Sequence, residues 1–442
     1  MNRIPKACAG LATSLMLVIG AGACSSSVAK SSSGGRMTGT VEVGTGVKAD
    51  LDKCPSTWNQ TGGITKDSIT LGISAPRSGP LAGVGGLADG VKAWFDHVNA
   101  TDPVDGKKVE VEIRDDAYDP ARTKTNVQDM IASGKIFSFF YVIGTANNIA
   151  AQPLMSQACI PQIVGGTGSL DLVGHPDKDP WIQGGLLPYA TEADIWCQDI
   201  VARKGKGASV SYLAMDNDFG DAYAKKLQEC ASQGDIKLVS QQRHAPTAPS
   251  ITNQITTMAA SKADVAILGT TSAFCGQGLS GIAASSWHPQ VYVSTTCGQV
   301  GATFSPIDPD GKGTHVALNR KDPADAKWAD DPTVKETIKV LKDENLSIVG
   351  TPPDGVLLGR YIEYAMRTAA KMDGGLNRVN LLKVMWHSDF QNPQSLPGIR
   401  FQTDGVKDPL IFDSVQIGTY VPPAAGEKVG HYDIAKTVVK GR

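Results

Sequence analysis

From Ile64 onward the apolar positions of this chain change period at regular intervals, from short runs or alternation to helical spacing and back. Residues 69–74 read as a strand. Leu87, Val91, Trp94, Phe95 and Val98 then recur at three- and four-residue spacing, which predicts an amphipathic helix with one apolar face. Val109, Val111 and Ile113 alternate with Glu110 and Glu112, the mark of a half-buried strand. Pro120 suits the first turn of a helix whose inner face is Val127, Met130 and Ile131. Residues 136–144 form a nearly continuous apolar run, as expected of a strand covered on both faces. A helix over 149–158 and a strand over 162–164 follow.

The pattern restarts after Pro188. Helices are predicted over 191–204, 221–232, 251–260 and 276–286, alternating with strands over 210–215, 236–240, 265–269 and 291–294. Further helices are expected over 333–344 and 354–372, and the tail from 401 to 421 reads as extended. Strands separated by helices of this length imply parallel sheets, and two such series imply an α/β chain of two doubly wound lobes. The expected division assigns 65–188 and 299–398 to lobe 1, and 189–298 and 399–442 to lobe 2, with crossover segments as the hinge. In open parallel sheets the ligand crevice lies outside the carboxyl ends of the strands. For two facing lobes that places a site in the cleft.

The N-terminus has a different character. Arg3 and Lys6 give a positive start, residues 11–19 a short apolar run, and Ala21-Gly22-Ala23 the small residues a signal peptidase requires before Cys24. Gly10, Thr13, Ser14, Gly20 and Gly22 interrupt residues 7–23, which fall short of the roughly 20 continuous apolar residues that span a bilayer. This is the layout of a bacterial lipoprotein signal over 1–23, with Cys24 acylated as the first mature residue and the protein held outside the cytoplasm on the cell membrane. Ala21 departs from the leucine usual at that position, and an ordinary secretory signal that leaves Cys24 a free thiol is the alternative. Residues 24–63 read as a flexible tether and N-terminal extension, beginning with the serine-rich stretch 25–35. The mature chain of about 420 residues has room for two or three domains. A net charge of −2 with both signs interspersed argues against nucleic acid or an acidic lipid surface as partner.

Eight cysteines are present. Cys8 leaves with the signal and Cys24 takes the lipid, so Cys54, Cys159, Cys197, Cys230, Cys275 and Cys297 remain. Six thiols in an exported chain point to three disulfides, with fifteen connectivities possible. Cys197 and Cys230 fall on two helices flanking one strand, and Cys275 and Cys297 follow the ends of two successive strands. Those placements pair Cys197 with Cys230 and Cys275 with Cys297, leaving Cys54 for Cys159. Buried free cysteines are the competing reading.

The first strand runs into Ala75-Pro76-Arg77-Ser78-Gly79-Pro80-Leu81-Ala82, with Gly85 following. This segment resembles the first ligand loop of the leucine/isoleucine/valine-binding family, the type I substrate-binding proteins of ABC importers. Matches continue in order through 109–116 with Asp119-Pro120, Gly144-Thr145-Ala146-Asn147-Asn148, Gln152-Pro153, Ile160-Pro161-Gln162, Gly165-Gly166-Thr167 and Pro180-Trp181. In the second lobe, Asp216-Asn217-Asp218-Phe219-Gly220 and residues 263–268 are similar to the corresponding family segments. The resemblance covers roughly residues 65–421. It implies the type I periplasmic binding protein fold, a monomer, a small-molecule ligand held without a cofactor, and an importer's permease and ATPase subunits as partners. It also implies that the first-lobe loops hold a ligand carboxylate.

The residues themselves suit such a role. Gly79-Pro80 makes a turn whose backbone donors, with the Ser78 hydroxyl, can face an anion. Asn147 and Asn148 supply side-chain donors and acceptors. Gly166 permits close backbone approach, and Thr167 adds a hydroxyl. Leu81, Val84, Phe219, Thr247 and Thr271 complete the expected ligand set. Two departures bear on the ligand. The stretch Ala245-Pro246-Thr247-Ala248-Pro249-Ser250 has no carboxylate where family members pair the ammonium of an amino acid, and Val84 stands where the first loop often supplies an aromatic ring. A carboxylate or a neutral polar molecule is therefore expected in preference to a free α-amino acid.

Other motifs dissolve on inspection. Gly83-Val84-Gly85-Gly86-Leu87-Ala88 matches a dinucleotide fingerprint but begins about nine residues past its strand. Asp308-Pro309-Asp310-Gly311 lacks the remaining ligands of a calcium loop. The seven histidines show no metal spacing, and Gly278-Leu279-Ser280-Gly281 is one residue short of a nucleophile elbow. No catalytic residue and no metal is assigned. A lipoprotein that senses a ligand for a membrane receptor is the rival reading, and an exported hydrolase the third.

Overall fold

The computed structural model describes residues 36–440, so Cys24 and the serine-rich tether lie outside the described residues. A hairpin of β1 (Thr40–Gly44) and β2 (Val47–Asp50) precedes the first sheet, and alternating patterning did not reveal it. The sheet contains β3 (Ser68–Ala75), β4 (Lys108–Asp115), β5 (Ser138–Phe140), β6 (Gln162–Gly165) and β7 (Ile182–Gly184), all parallel in the order β4-β3-β5-β6-β7. Its crossovers are α1 (Gly86–Thr101), α2 (Pro120–Ala132), α3 (Thr145–Gln157) and the single turn α4 (Leu170–Val173). Asp119 caps α2, accepting from the Ala121 amide at 2.8 Å ahead of a helix opened by Pro120.

The second sheet begins after α5 (Tyr189–Lys204). Strands β8 (Ala208–Met215), β9 (Ile236–His244), β10 (Val265–Gly269), β11 (Gln290–Val293) and β12 (His315–Leu318) run parallel in the order β9-β8-β10-β11-β12. They alternate with α6 (Asp218–Ser232), α7 (Thr252–Ala260) and α8 (Ala273–Ala283). The chain then returns to the first lobe through α9 (Pro332–Asp343), α10 (Pro352–Ala370), α11 (Arg378–Met385) and the small pair β13 (Asp389–Phe390) and β14 (Phe401–Gln402). It ends on the second sheet, where β15 (Ser414–Val421) pairs antiparallel with β12, β16 (His431–Ile434) and β17 (Val439–Lys440).

Three expectations need correction. The run 136–144 is not one strand: β5 ends at Phe140, where Tyr141 at φ 42° breaks the extended backbone, and beyond it Ile143 makes an isolated parallel bridge to Gly166. The division at 299–398 also fails, since β12 sits inside the second sheet and Val300 and Phe304 pack in the second core. Conversely Phe401, Ile411 and Phe412 belong to the first core, although 399–442 was assigned to lobe 2. A four-residue buried strand carries too little periodicity to be seen, and missing β12 displaced the boundary.

Two close contacts hold the first lobe. Helices α1 and α10 cross where Gly90 meets Gly355: a Cβ on Gly90 would overlap the Pro352 carbonyl, and one on Gly355 the Leu87 carbonyl. Beside that crossing the Arg360 guanidinium lies 4.0 Å from the centre of the Trp94 ring. The buried Arg378 donates to the carbonyls of Asn59, Gly62, Ile136 and Phe137, fastening the N-terminal extension to the start of β5. Cys54–Cys159 ties the same extension to the end of α3, Cys197–Cys230 joins α5 to α6, and Cys275–Cys297 joins α8 to the turn after β11. These are the expected pairs, two suggested by element placement and Cys54–Cys159 by elimination.

Gly90→Ala forces two helix backbones apart, and overpacking of this kind costs about 1–3 kcal/mol or more. Gly276→Ala in α8 is the control, because a Cβ there meets nothing nearer than 3.7 Å. Denaturant titration should show the first variant clearly destabilised and the second at or above wild-type stability.

Candidate ligand-binding site

Most parallel strands of both sheets are followed by a residue or short loop that enters the wall of one cleft, the loop after β9 being the exception. Tyr118 follows β4, Tyr141 follows β5, Gly166 follows β6 and Gly185 follows β7. From the other side come Phe219 after β8, Thr271 after β10, Thr295 after β11, and Asn319 and Arg320 after β12. They enclose a cavity of about 120 Å³. An engineered cavity of about 150 Å³ takes one benzene molecule, so this volume suits one ring-sized group.

Aromatic and aliphatic surface dominates the cavity. The Phe219 ring stands edge-on to Tyr189 at 4.9 Å and to Tyr223 at 5.4 Å, and Tyr223 stacks on Trp196 at 5.1 Å, so the wall is rigid. Tyr118 and Tyr141 hold φ 63° and 42°, conformations that cost about 1–3 kcal/mol each and persist where the surroundings impose them. Here they turn both rings out of their strands into the cleft. Gly144 makes room for this, since a Cβ there would lie 2.7 Å from the Tyr118 ring. Burial pushes the hydroxyl pKa of Tyr118, Tyr141 and Tyr189 up, so all three stay neutral. The Tyr141 hydroxyl has no partner among the described residues and remains available as a donor.

The polar groups are few and mostly committed. Thr295 donates its hydroxyl to the Ala317 carbonyl at 2.7 Å, Thr296 to Thr270 at 3.0 Å and Thr351 to Gly83 at 3.0 Å, so each offers an acceptor lone pair. Arg320 and Asp354 form the one ion pair in the lining. Arg320 donates through Nε and, at 2.9 Å, through Nη2, while Gln299 Nε2 adds a third donor to Asp354 at 3.2 Å. The guanidinium and the carboxylate thus neutralise each other within the wall.

The expected site residues divide sharply. Val84, Gly166, Phe219 and Thr271 line the cavity. Ser78 does not, since it donates to Asp115 at 2.7 Å on the exposed loop and helps hold that carboxyl down to about 2. Gly79 shares the exposed turn, and Thr247 lies exposed on the loop after β9. Leu81 is buried in the second lobe's core instead. Asn147 and Asn148 lie in the first turn of α3, not on a loop, and donate their side-chain amides to the carbonyls of Val142, Ile143 and Gly144 just after β5. Thr167 shares a hydrogen bond with Thr145 at 3.0 Å. The residues that sequence reasoning passed over, Tyr118, Tyr141, Arg320 and Asp354, include three that lie within a few residues of the ends of parallel strands, a signal that strand-end position alone carries.

Behind the Thr295 wall lies a buried carboxyl. Glu192, wholly enclosed at the start of α5, accepts from the Tyr223 hydroxyl at 2.5 Å and from the Thr295 amide at 2.7 Å. Burial outweighs both bonds and raises its pKa to about 8 from an unfolded 4.5. Between those values the folded state holds a proton that the unfolded chain has lost, so this group's contribution to stability falls as pH rises from 4.5 and levels off above about 8. Melting temperatures of wild type and Glu192→Gln across pH 5 to 9 should therefore diverge, the wild type losing ground as pH rises. Parallel curves would remove the buried acid.

The Periplasmic binding protein family matches residues 68–396. No curated protein matches the chain by sequence. Among solved structures it is similar to a branched chain amino acid ABC transporter protein from Thermus thermophilus with bound valine, at TM-score 0.74 and 15% identity, over 86% of this chain and 98% of that one. A solute binding protein from Rhodopseudomonas palustris BisB5 in complex with 3,4-dihydroxy benzoic acid gives TM-score 0.70 at 19% identity, over 85% and 98%. A fatty acid ABC transporter substrate-binding protein from Thermomonospora curvata gives 0.69 at 16%, over 87% and 96%. With two parallel-sheet lobes around one cleft and a family match over most of its length, the chain belongs to the periplasmic binding protein family and has the type I fold.

Proposed function

We propose that this protein is the extracytoplasmic solute-binding component of an ABC importer, capturing a small uncharged ligand with a ring-sized apolar group and handing it to permease and ATPase subunits. The observation that carries this reading is the inter-lobe cavity: ring-sized, walled by aromatic residues of both lobes, and with its one charged pair already neutralised. A buried ammonium or carboxylate needs an unspent counter-charge, and desolvating it without one is costly. Arg320 and Asp354 are spent on each other. A zwitterionic α-amino acid therefore fits poorly, although the Thermus thermophilus relative carries valine. The relative in complex with 3,4-dihydroxy benzoic acid is a precedent for the ring and hydroxyls alone, since its ligand also carries a carboxylate. The role is binding and release, not turnover.

Anchoring through an acylated Cys24 completes the proposal, placing the lobes on a tether beside the permease. Among the described residues no helix is long and apolar enough to cross a membrane, so this part rests on the signal sequence. Cys24→Ala should shift the protein from the detergent phase to the aqueous phase, and equal partitioning would rule the anchor out.

Calorimetry with benzamide, leucine and valine tests the cleft. Benzamide should bind, and Phe219→Ala should weaken it about ten- to hundredfold by removing one wall of the ring site. Tight binding of leucine or valine by the wild type would contradict the charge argument.

A further inference from the structure

Outside the inner cavity lies a second, larger chamber of about 410 Å³. Val84, Thr296, Gln299 and Thr351 belong to both walls, so these four side chains form the boundary between the two spaces. The chamber is also made by both lobes: Gly83 and Val84 come from the loop after β3, and Ser272 to Gln277 from the start of α8.

Its chemistry is specific. No ionisable side chain lines it, whereas the neighbouring recess carries the Arg77–Asp89 ion pair. Gln277, Gln299, Ser272 and Thr303 supply neutral donors and acceptors. Thr303 is 6% exposed, yet its hydroxyl has no partner among the described residues. The glycines of α8 separate packing from function. A Cβ on Gly278 would lie 2.7 Å from Leu268 and one on Gly281 3.0 Å from Ile255, so the core requires both. At Gly276 the nearest atoms would be Ile307 at 3.7 Å and the Thr303 carbonyl at 3.8 Å, both on the chamber wall. Glycine weakens a helix interior, and packing gives no reason for it here. What its missing side chain does is keep the chamber open.

We propose that this chamber is a second subsite, which receives the uncharged amide- or hydroxyl-bearing tail of an elongated ligand whose ring-sized head fills the inner cavity. The assignment rests on the solute-binding reading of the cleft and adds the ligand's length and tail chemistry to it. The tail passes the boundary set by Val84, Thr296, Gln299 and Thr351, where three threonine or glutamine side chains can meet an amide, and ends against Thr303 and Gln277.

The test is a calorimetric series on the full-length protein with benzamide, N-benzoylglycinamide and N-benzoylglycylglycinamide. Affinity should rise about tenfold along the series, as one or two added neutral hydrogen bonds allow. Gly276→Phe should abolish that gain by filling the chamber while leaving benzamide binding unchanged. Thr303→Val, which keeps the side-chain shape and removes the hydroxyl, should reduce the gain about threefold or more. Equal affinity for the three amides in the wild type overturns the second subsite and leaves the solute-binding reading standing. So does a length gain that survives both substitutions. Failure of the wild type to bind any of the three, benzamide included, overturns both.

Discussion

The bidentate pair between Arg320 and Asp354 is the interaction on which the rest of the cleft depends. Arg320 emerges from the end of β12 in the second sheet, and Asp354 sits in the first turn of α10 in the first lobe, where the helix N-terminus favours a carboxylate. The contact therefore joins the end of a second-sheet strand to a first-lobe helix. Removing one partner from a buried pair costs about 3–5 kcal/mol, because the other charge is left uncompensated. Both groups are only about one-sixth exposed, so solvent does little to soften that penalty. With the charges bound to each other, the wall presents dipoles and rings to whatever enters.

That neutrality explains why the remaining chemistry is hydroxyl, amide and aromatic. Three threonines spend their protons on backbone carbonyls and turn acceptors inward. Two tyrosines sit on left-handed backbone, a local cost accepted only because it brings their rings to the cleft. The two lobes share this surface rather than merely facing it. Val84, Tyr118 and Leu186 pack against both cores, and Leu81 leaves the first lobe to bury itself in the second. A ligand that touches these residues stabilises the closed arrangement by its differential affinity for it.

Most of the architecture was legible in the sequence because it rests on long periodic segments. Helices α1, α5, α6, α9 and α10 appeared within a few residues of their observed ends, and so did strands β3, β4, β8 and β10. Two cystine pairs followed from the same placement, and the third, Cys54–Cys159, by elimination. What escaped was short or non-periodic: the four residues of β12, the hairpin of β1 and β2, and the kink at Tyr141 that ends β5. The site was harder still. Motif likeness pointed to Ser78, Asn147, Asn148 and Thr167, yet in this chain each of them bonds within the protein, and of their side-chain atoms the buried Asn147 Oδ1 is the one left without a partner among the described residues. Arg320 and Asp354 lie 34 residues apart with nothing local to join them. Only the fold brings them together.

The central claim is that this pair cancels itself and leaves the cleft selective for neutral ligands. The most direct measurement compares benzamide, benzoate and benzylamine, matched in size but differing in charge, across wild type, Asp354→Asn and Arg320→Met. The wild type should prefer benzamide. Freeing the guanidinium in Asp354→Asn should shift the preference toward benzoate by about tenfold or more, and freeing the carboxylate in Arg320→Met should shift it as far toward benzylamine. Ratios that stay at wild-type values in both variants would contradict the account.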